Sequence, residues 1–157
     1  MLYVSQFFSG KGPRRNHVAT GLVATLALAG AAIAHTKVND PTVRAWMQNM
    51  MQTAEATKVL GQMAKGATDF DPDLANEAAR RISDAMALVP ALFEVKANDP
   101  TSEAQPAIWT DWDRFVDLAE TSSRVAGTVE ITTQDDLRAA LKKIGGTCSA
   151  CHNEFRE

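Results

Sequence analysis

From residue 40 to the C-terminus the apolar positions recur every three or four residues, and no stretch alternates convincingly at period two, so the pattern predicts helices. The first helix opens at Asn39-Asp40-Pro41, a capping acid followed by a proline suited to the first helical position. It closes at Lys65-Gly66, and its stripe is Val43, Met47, Met50, Ala54, Thr57, Gly61 and Ala64. The second uses the same opening at Asp71-Pro72, with Leu74, Ala78, Ile82, Ala85, Val89 and Leu92 inward and Pro90 placed to bend or end it. A long polar connection, VKANDPTSEAQP, follows. The third helix covers roughly residues 106–126 on Ile108, Trp112, Phe115, Ala119 and Ser122, with Gly127 at its end. The fourth begins at Thr133 and Asp136, a capping box with Asp in place of Glu, and carries Leu137, Leu141, Ile144, Cys148, Cys151 and Phe155 inward. Four helices with mostly short links predict an all-α chain, an antiparallel four-helix bundle.

The first 34 residues follow another pattern. A basic leader with Lys11, Arg14 and Arg15 and no acid precedes an apolar run that ends in Ala32-Ile33-Ala34. That reads as a signal peptide over 1–34 and an exported domain over 35–157. A retained N-terminal membrane anchor is the alternative, since the run is near the lower limit for spanning a bilayer. Removal of the leader leaves 13 basic against 19 acidic side chains, a net charge of −6. With an acidic domain and no basic patch, nucleic acid is not an expected partner.

The chemistry is concentrated in GGTCSACHNEFRE at the C-terminus, which holds both cysteines of the chain. Cys148, Cys151 and His152 stand at i, i+3 and i+4, so a helix projects them from one face. Two thiols at that spacing can each add to one porphyrin vinyl group while the adjacent imidazole reaches the iron, which makes C-x-x-C-H the attachment signature of c-type haem. Structural zinc needs four ligands. A thioredoxin-like dithiol belongs at a helix start after a strand. A disulfide would close a loop too short to stabilise much. The expected cofactor is one covalent haem c.

With those residues in place, the chain resembles the class II c-type cytochromes, the family of cytochrome c′ and its low-spin relatives. The resemblance is carried by IGGTCSACHNEFRE with Arg156 four residues after His152, by PAIWTDWDRF at the third helix, and by LGQMAKG closing the first. It covers about residues 40–157. It implies a bundle with haem held between the helices by Cys148 and Cys151, His152 as an exposed proximal iron ligand, and Arg156 beside that imidazole. Arg156 also fits a solvated arginine complementing the helix dipole. Counting back from Lys65-Gly66 as the family spacing requires reaches Met50 as the residue facing the iron's other side, with Met47 as the fallback, whereas Met51 turns away by about 100°. Met63 reads as core. Relatives often carry an arginine one turn before that position; here it is Trp46, and the nearest arginine is Arg44.

The expected function is a periplasmic one-electron carrier with His152 and Met50 on the iron, working with redox partner proteins. The alternative is a five-coordinate haem protein that takes up nitric oxide or carbon monoxide. No acid–base pair or nucleophile is arranged for turnover, so neither reading is an enzyme. The resemblance also implies a homodimer through the first two helices, for which Trp46, Val59 and Met63 could supply a surface, or equally complete the core.

Overall fold

The computed structural model describes residues 37–157, and the leader falls outside them. Six helices follow in order: α1 (Pro41–Ala64), α2 (Pro72–Ala87), α3 (Val89–Phe93), α4 (Ala107–Thr110), α5 (Trp112–Thr128) and α6 (Gln134–Phe155). The four long ones, α1, α2, α5 and α6, make the bundle. Among the described residues no helix is long and apolar enough to cross a membrane.

The helix starts are where the sequence puts them, for the reasons it gives. Asp40 accepts from the backbone N–H groups of Thr42 and Val43 with Pro41 behind it, and Asp71 does the same for Leu74. Thr133 and Asp136 form the reciprocal capping box. Gly66 takes a left-handed φ of 69° just after α1, the conformation that glycine adopts without penalty.

Two boundaries differ from the expected ones. The second helix is interrupted at Leu88, and Pro90 starts the short α3, since a proline within the helix would break its hydrogen-bond ladder. The third helix is split into α4 and α5 by Asp111, whose ψ of 55° is not helical. Hydrogen bonds continue on both sides of that break, from Asp111 N–H to Ala107 and from Phe115 N–H to Asp111.

Long-range hydrogen bonds fix the antiparallel order. Gln134 at the start of α6 donates to the Met63 carbonyl at the end of α1, and Asn76 near the start of α2 exchanges two hydrogen bonds with Ile131 before α6. At the other end, the Asp99 carboxylate receives the N–H groups of Asn39 and Asp40 ahead of α1. The segment 103–105 pairs there with the last residues of α6. The start of α1 and the end of α6 are thus held by the same long connection.

The core is made of Val43, Leu60, Ile82, Ile108, Leu137 and Ile144 with a layer of alanines on α2. Each large aliphatic buried there stabilises by about 1.5–3 kcal/mol relative to exposure. On α1 the buried face is Val43, Trp46, Asn49, Thr53, Ala56, Leu60 and Met63, rotated from the predicted stripe; Met47 and Ala54 are exposed. The rotation follows from packing on α2 and α3, toward which Asn49 and Trp46 point. Asn49 donates to the Ala85 carbonyl, one of the last four of α2, and the Trp46 indole N–H donates to Leu92 at the end of α3. Trp109 donates to Phe93 in the same way. Trp46 and Met63 are buried and Val59 half-buried, so these residues complete the core instead of forming an outer surface. On α2, Leu74 faces solvent while its neighbour Ala75 is fully buried, so the inner face of the first turn is set one residue later than the predicted stripe.

Candidate haem site

Between the helices lies a cavity of about 500 Å³, within the size range of cofactor sites. One wall is α6, with Cys148, Cys151, His152, Phe155 and Arg156. The α1 wall presents Trp46, Met47, Met50, Met51, Thr53 and Ala54. Met86, Val89 and Phe93 come from α2 and α3, and Phe115, Ala119 and Ser122 from α5. The connection between α3 and α4 closes the rest with Thr101, Ser102, Glu103 and Ala104.

Helical spacing puts Cys148, Cys151 and His152 on the cavity side of α6. Both cysteines are half-buried and unpaired, and His152 is exposed. Burial pushes the Cys148 thiol up, against hydrogen bonds from Thr147 and its own backbone. Burial, then the neighbouring Cys148 and Glu154, push Cys151 up to about 11, with Arg114 opposing. Both are protonated thiols at neutral pH, the reverse of a redox dithiol, whose attacking sulfur has a depressed pKa. The His152 imidazole is held below its ordinary value by partial desolvation and then by the charge of Arg156, while Glu103 pulls the other way. The neutral ring that results is the form that binds a metal.

Arg156 is fixed by more than helix geometry. Its Nε and Nη2 both sit 2.5 Å from one oxygen of the Glu103 carboxylate. Around this ion pair the chain forms a short antiparallel bridge: Gln105 N–H donates to Phe155 O (3.0 Å) and Glu157 N–H to Glu103 O (2.9 Å). The Gln105 side chain adds a bond to the Arg156 carbonyl. Arg114 on α5 grips Glu154 in a two-point pair, which braces the outer side of the same α6 turn and draws the Glu154 carboxyl down.

The residues fit a covalently held haem. Two protonated thiols and a neutral imidazole share one helix face, and the walls opposite are apolar. Met50 is half-buried and packs on the core, whereas Met47 and Met51 are 39% and 59% exposed at the cavity's edge. Met51 therefore lines the site where the helical count turns it away, because α1 presents a broad face to the opening. Met86 is a fourth methionine of the lining. Its place one residue past the α2 stripe hides it from a periodicity argument.

A family model described as cytochrome c′ matches residues 42–156. The chain belongs to the cytochrome c′ family. Haem c, covalently bound and carrying iron, is the cofactor of this family. The cytochrome c′ of Rhodopseudomonas palustris is 33% identical over 111 residues, covering 68% of this chain and 75% of that protein. Cytochrome c-556 from the same species is 29% identical over 147 residues, 89% of this chain and 94% of its own. The solved structure of the R. palustris cytochrome c′ superposes with a TM-score of 0.69 at 30% identity, covering 75% of this chain and 97% of the other. Trp46 is the residue one turn before Met50, where the resemblance led to the expectation of an arginine. It is buried and stacked on Phe93 at 4.4 Å. Arg44 is turned to the Val38 carbonyl, away from the cavity lining.

Proposed function

We propose that the protein is an exported one-electron carrier in which Cys148 and Cys151 would hold haem c and His152 and Met50 would ligate its iron. The observation that carries the reading is Met50 itself. It is a thioether on the α1 wall of the cavity whose α6 wall bears the attachment motif, and it is anchored by core packing in a way that Met47 and Met51 are not. Haem supplies the ferric–ferrous couple; the chain sets its potential and its exposure. Met50 contributes a soft ligand that favours the reduced state. His152 is kept neutral, and Trp46, Phe93 and Phe115 exclude water from the inner wall.

The test is Met50→Ala in the loaded protein. Loss of the sulfur–iron charge-transfer band, a change from low to high spin, a lower reduction potential and rapid carbon monoxide binding are the expected results. Met47→Ala, Met51→Ala and Met86→Ala leave all four close to the parent. A parent that is already high-spin and binds carbon monoxide at once would instead establish the second reading, a gas-binding haem protein. That reading draws on the cytochrome c′ relatives and on the apolar cavity lining. Export is part of the proposal: the mature protein begins near His35, and an intact mass that retains residues 1–34 in a membrane fraction would replace the periplasmic carrier with an anchored one.

A further inference from the structure

The Glu103–Arg156 pair is costly to explain as a stabilising contact. Both side chains are about half exposed, and ion pairs in that setting contribute little to stability. Yet the pair is held with unusual care. Glu103 stands on a connection pinned by Asp99 at one end and by the Gln105–Phe155 and Glu157–Glu103 backbone bonds at the other. Arg156 lies one helical turn beyond His152, and both members of the pair line the same cavity as that histidine. One is a cation and the other an anion, so at any group in that part of the cavity their fields oppose each other.

We propose that Glu103 is a positioning residue for the redox site: it fixes the Arg156 guanidinium at the cavity rim and cancels its positive field at His152. The connection between α3 and α4 thereby sets the reduction potential from a point 53 residues away from its partner in the chain. This rests on His152 as the iron ligand and is independent of Met50. Without Glu103, the uncompensated cation favours the reduced state, which carries less positive charge. Without Arg156, the uncompensated anion favours the oxidised state. A unit charge acting over several ångströms through largely aqueous surroundings changes the reduced-to-oxidised ratio roughly two- to fivefold, and more at low salt than at high.

Potentiometric titration of the haem-loaded parent, Glu103→Gln, Arg156→Gln, the double variant and Glu103→Asp tests this. The expected results are a midpoint raised in Glu103→Gln, lowered in Arg156→Gln, and near the parent in the double variant and in Glu103→Asp. Amide exchange at Gln105 and Glu157, read on the same samples, is expected to stay slow in Glu103→Gln, so that the shift is one of charge. Unchanged midpoints overturn the proposal. So do shifts of the same sign in the two single variants, the pattern of a strap that has simply opened. Failure of the underlying ligation would show separately, as a His152→Ala variant with the parental spectrum.

Discussion

Gly127 sits in the last turn of α5, where an exchange to alanine ordinarily stabilises a helix by up to about 1 kcal/mol. Here the opposite is expected. A Cβ at Gly127 would lie 2.7 Å from Ser83 Oγ on α2, far inside contact distance, and 3.5 Å from Ser83 Cβ. Ser83 cannot step aside freely. Its hydroxyl donates to the Ser123 carbonyl at 2.9 Å, while Ser123 Oγ donates back to the Ser83 carbonyl at 2.9 Å. Rotating Ser83 away forfeits a hydrogen bond of about 1 kcal/mol, and holding it in place forces the helices apart at an overpacking cost of about 1–3 kcal/mol. After the propensity gain of up to about 1 kcal/mol is subtracted, Gly127→Ala should destabilise by up to about 2 kcal/mol instead of stabilising. In a Ser83→Ala background only the ordinary 3.5 Å contact remains, so the same exchange becomes neutral or stabilising. Urea unfolding followed by helical circular dichroism measures all four corners of this cycle. A Gly127→Ala protein more stable than the parent, or an exchange no better tolerated in the Ser83→Ala background, would refute the close approach of α2 and α5.

Two further outcomes follow from the same geometry. Asp99 is buried and receives the N–H groups of Asn39, Asp40 and Thr101 together with the Thr101 hydroxyl, and these bonds, led by that from Asp40, hold its carboxyl well below the usual carboxylate range. A depressed folded-state pKa gives stability that is complete above about pH 4 and is lost as the pH falls further. Asp99→Asn should therefore melt below the parent at pH 7, with the gap closing toward pH 2; a gap constant over that range would contradict the assignment. Changing Cys148 and Cys151 together to alanine should release the haem into acid–acetone, whereas the parent retains it on the denatured chain, as mass spectrometry would show.

The starts of α1, α2 and α6 were legible in the sequence because caps are local: Asp40, Asp71 and the Thr133–Asp136 box each act within three residues of the helix they begin. That Cys148, Cys151 and His152 face one side of α6 was legible for the same reason, since they lie within two turns of one helix. The stripes of α2 and α6 also agree largely with the observed core, each helix having one dominant buried side. The α1 stripe does not. That helix packs on its neighbours along one side and borders the cavity along another, so methionines at the opening and Asn49 in the interior invert the usual apolar-in pattern. The pairing of Glu103 with Arg156 is legible only in three dimensions, because nothing local connects residues so far apart in sequence. Asn49, Trp46 and Trp109 reach across to carbonyls at the ends of α2 and α3, which also depends on how the elements meet.

The aromatic side chains give the protein a built-in optical reporter. Trp46 stacks on Phe93 and touches Trp109, Phe93 meets Phe115, and Phe115 meets both Trp112 and Phe155. Every tryptophan of the chain thus belongs to one connected cluster, and Trp46 forms part of the cavity wall itself. Excited indoles this close to a porphyrin lose their energy to it without emitting, and the loss falls steeply with distance. Folded, haem-bearing molecules are consequently dark at tryptophan wavelengths, and chains that have unfolded or never received haem are bright. Emission intensity counts the second population directly, with no added dye.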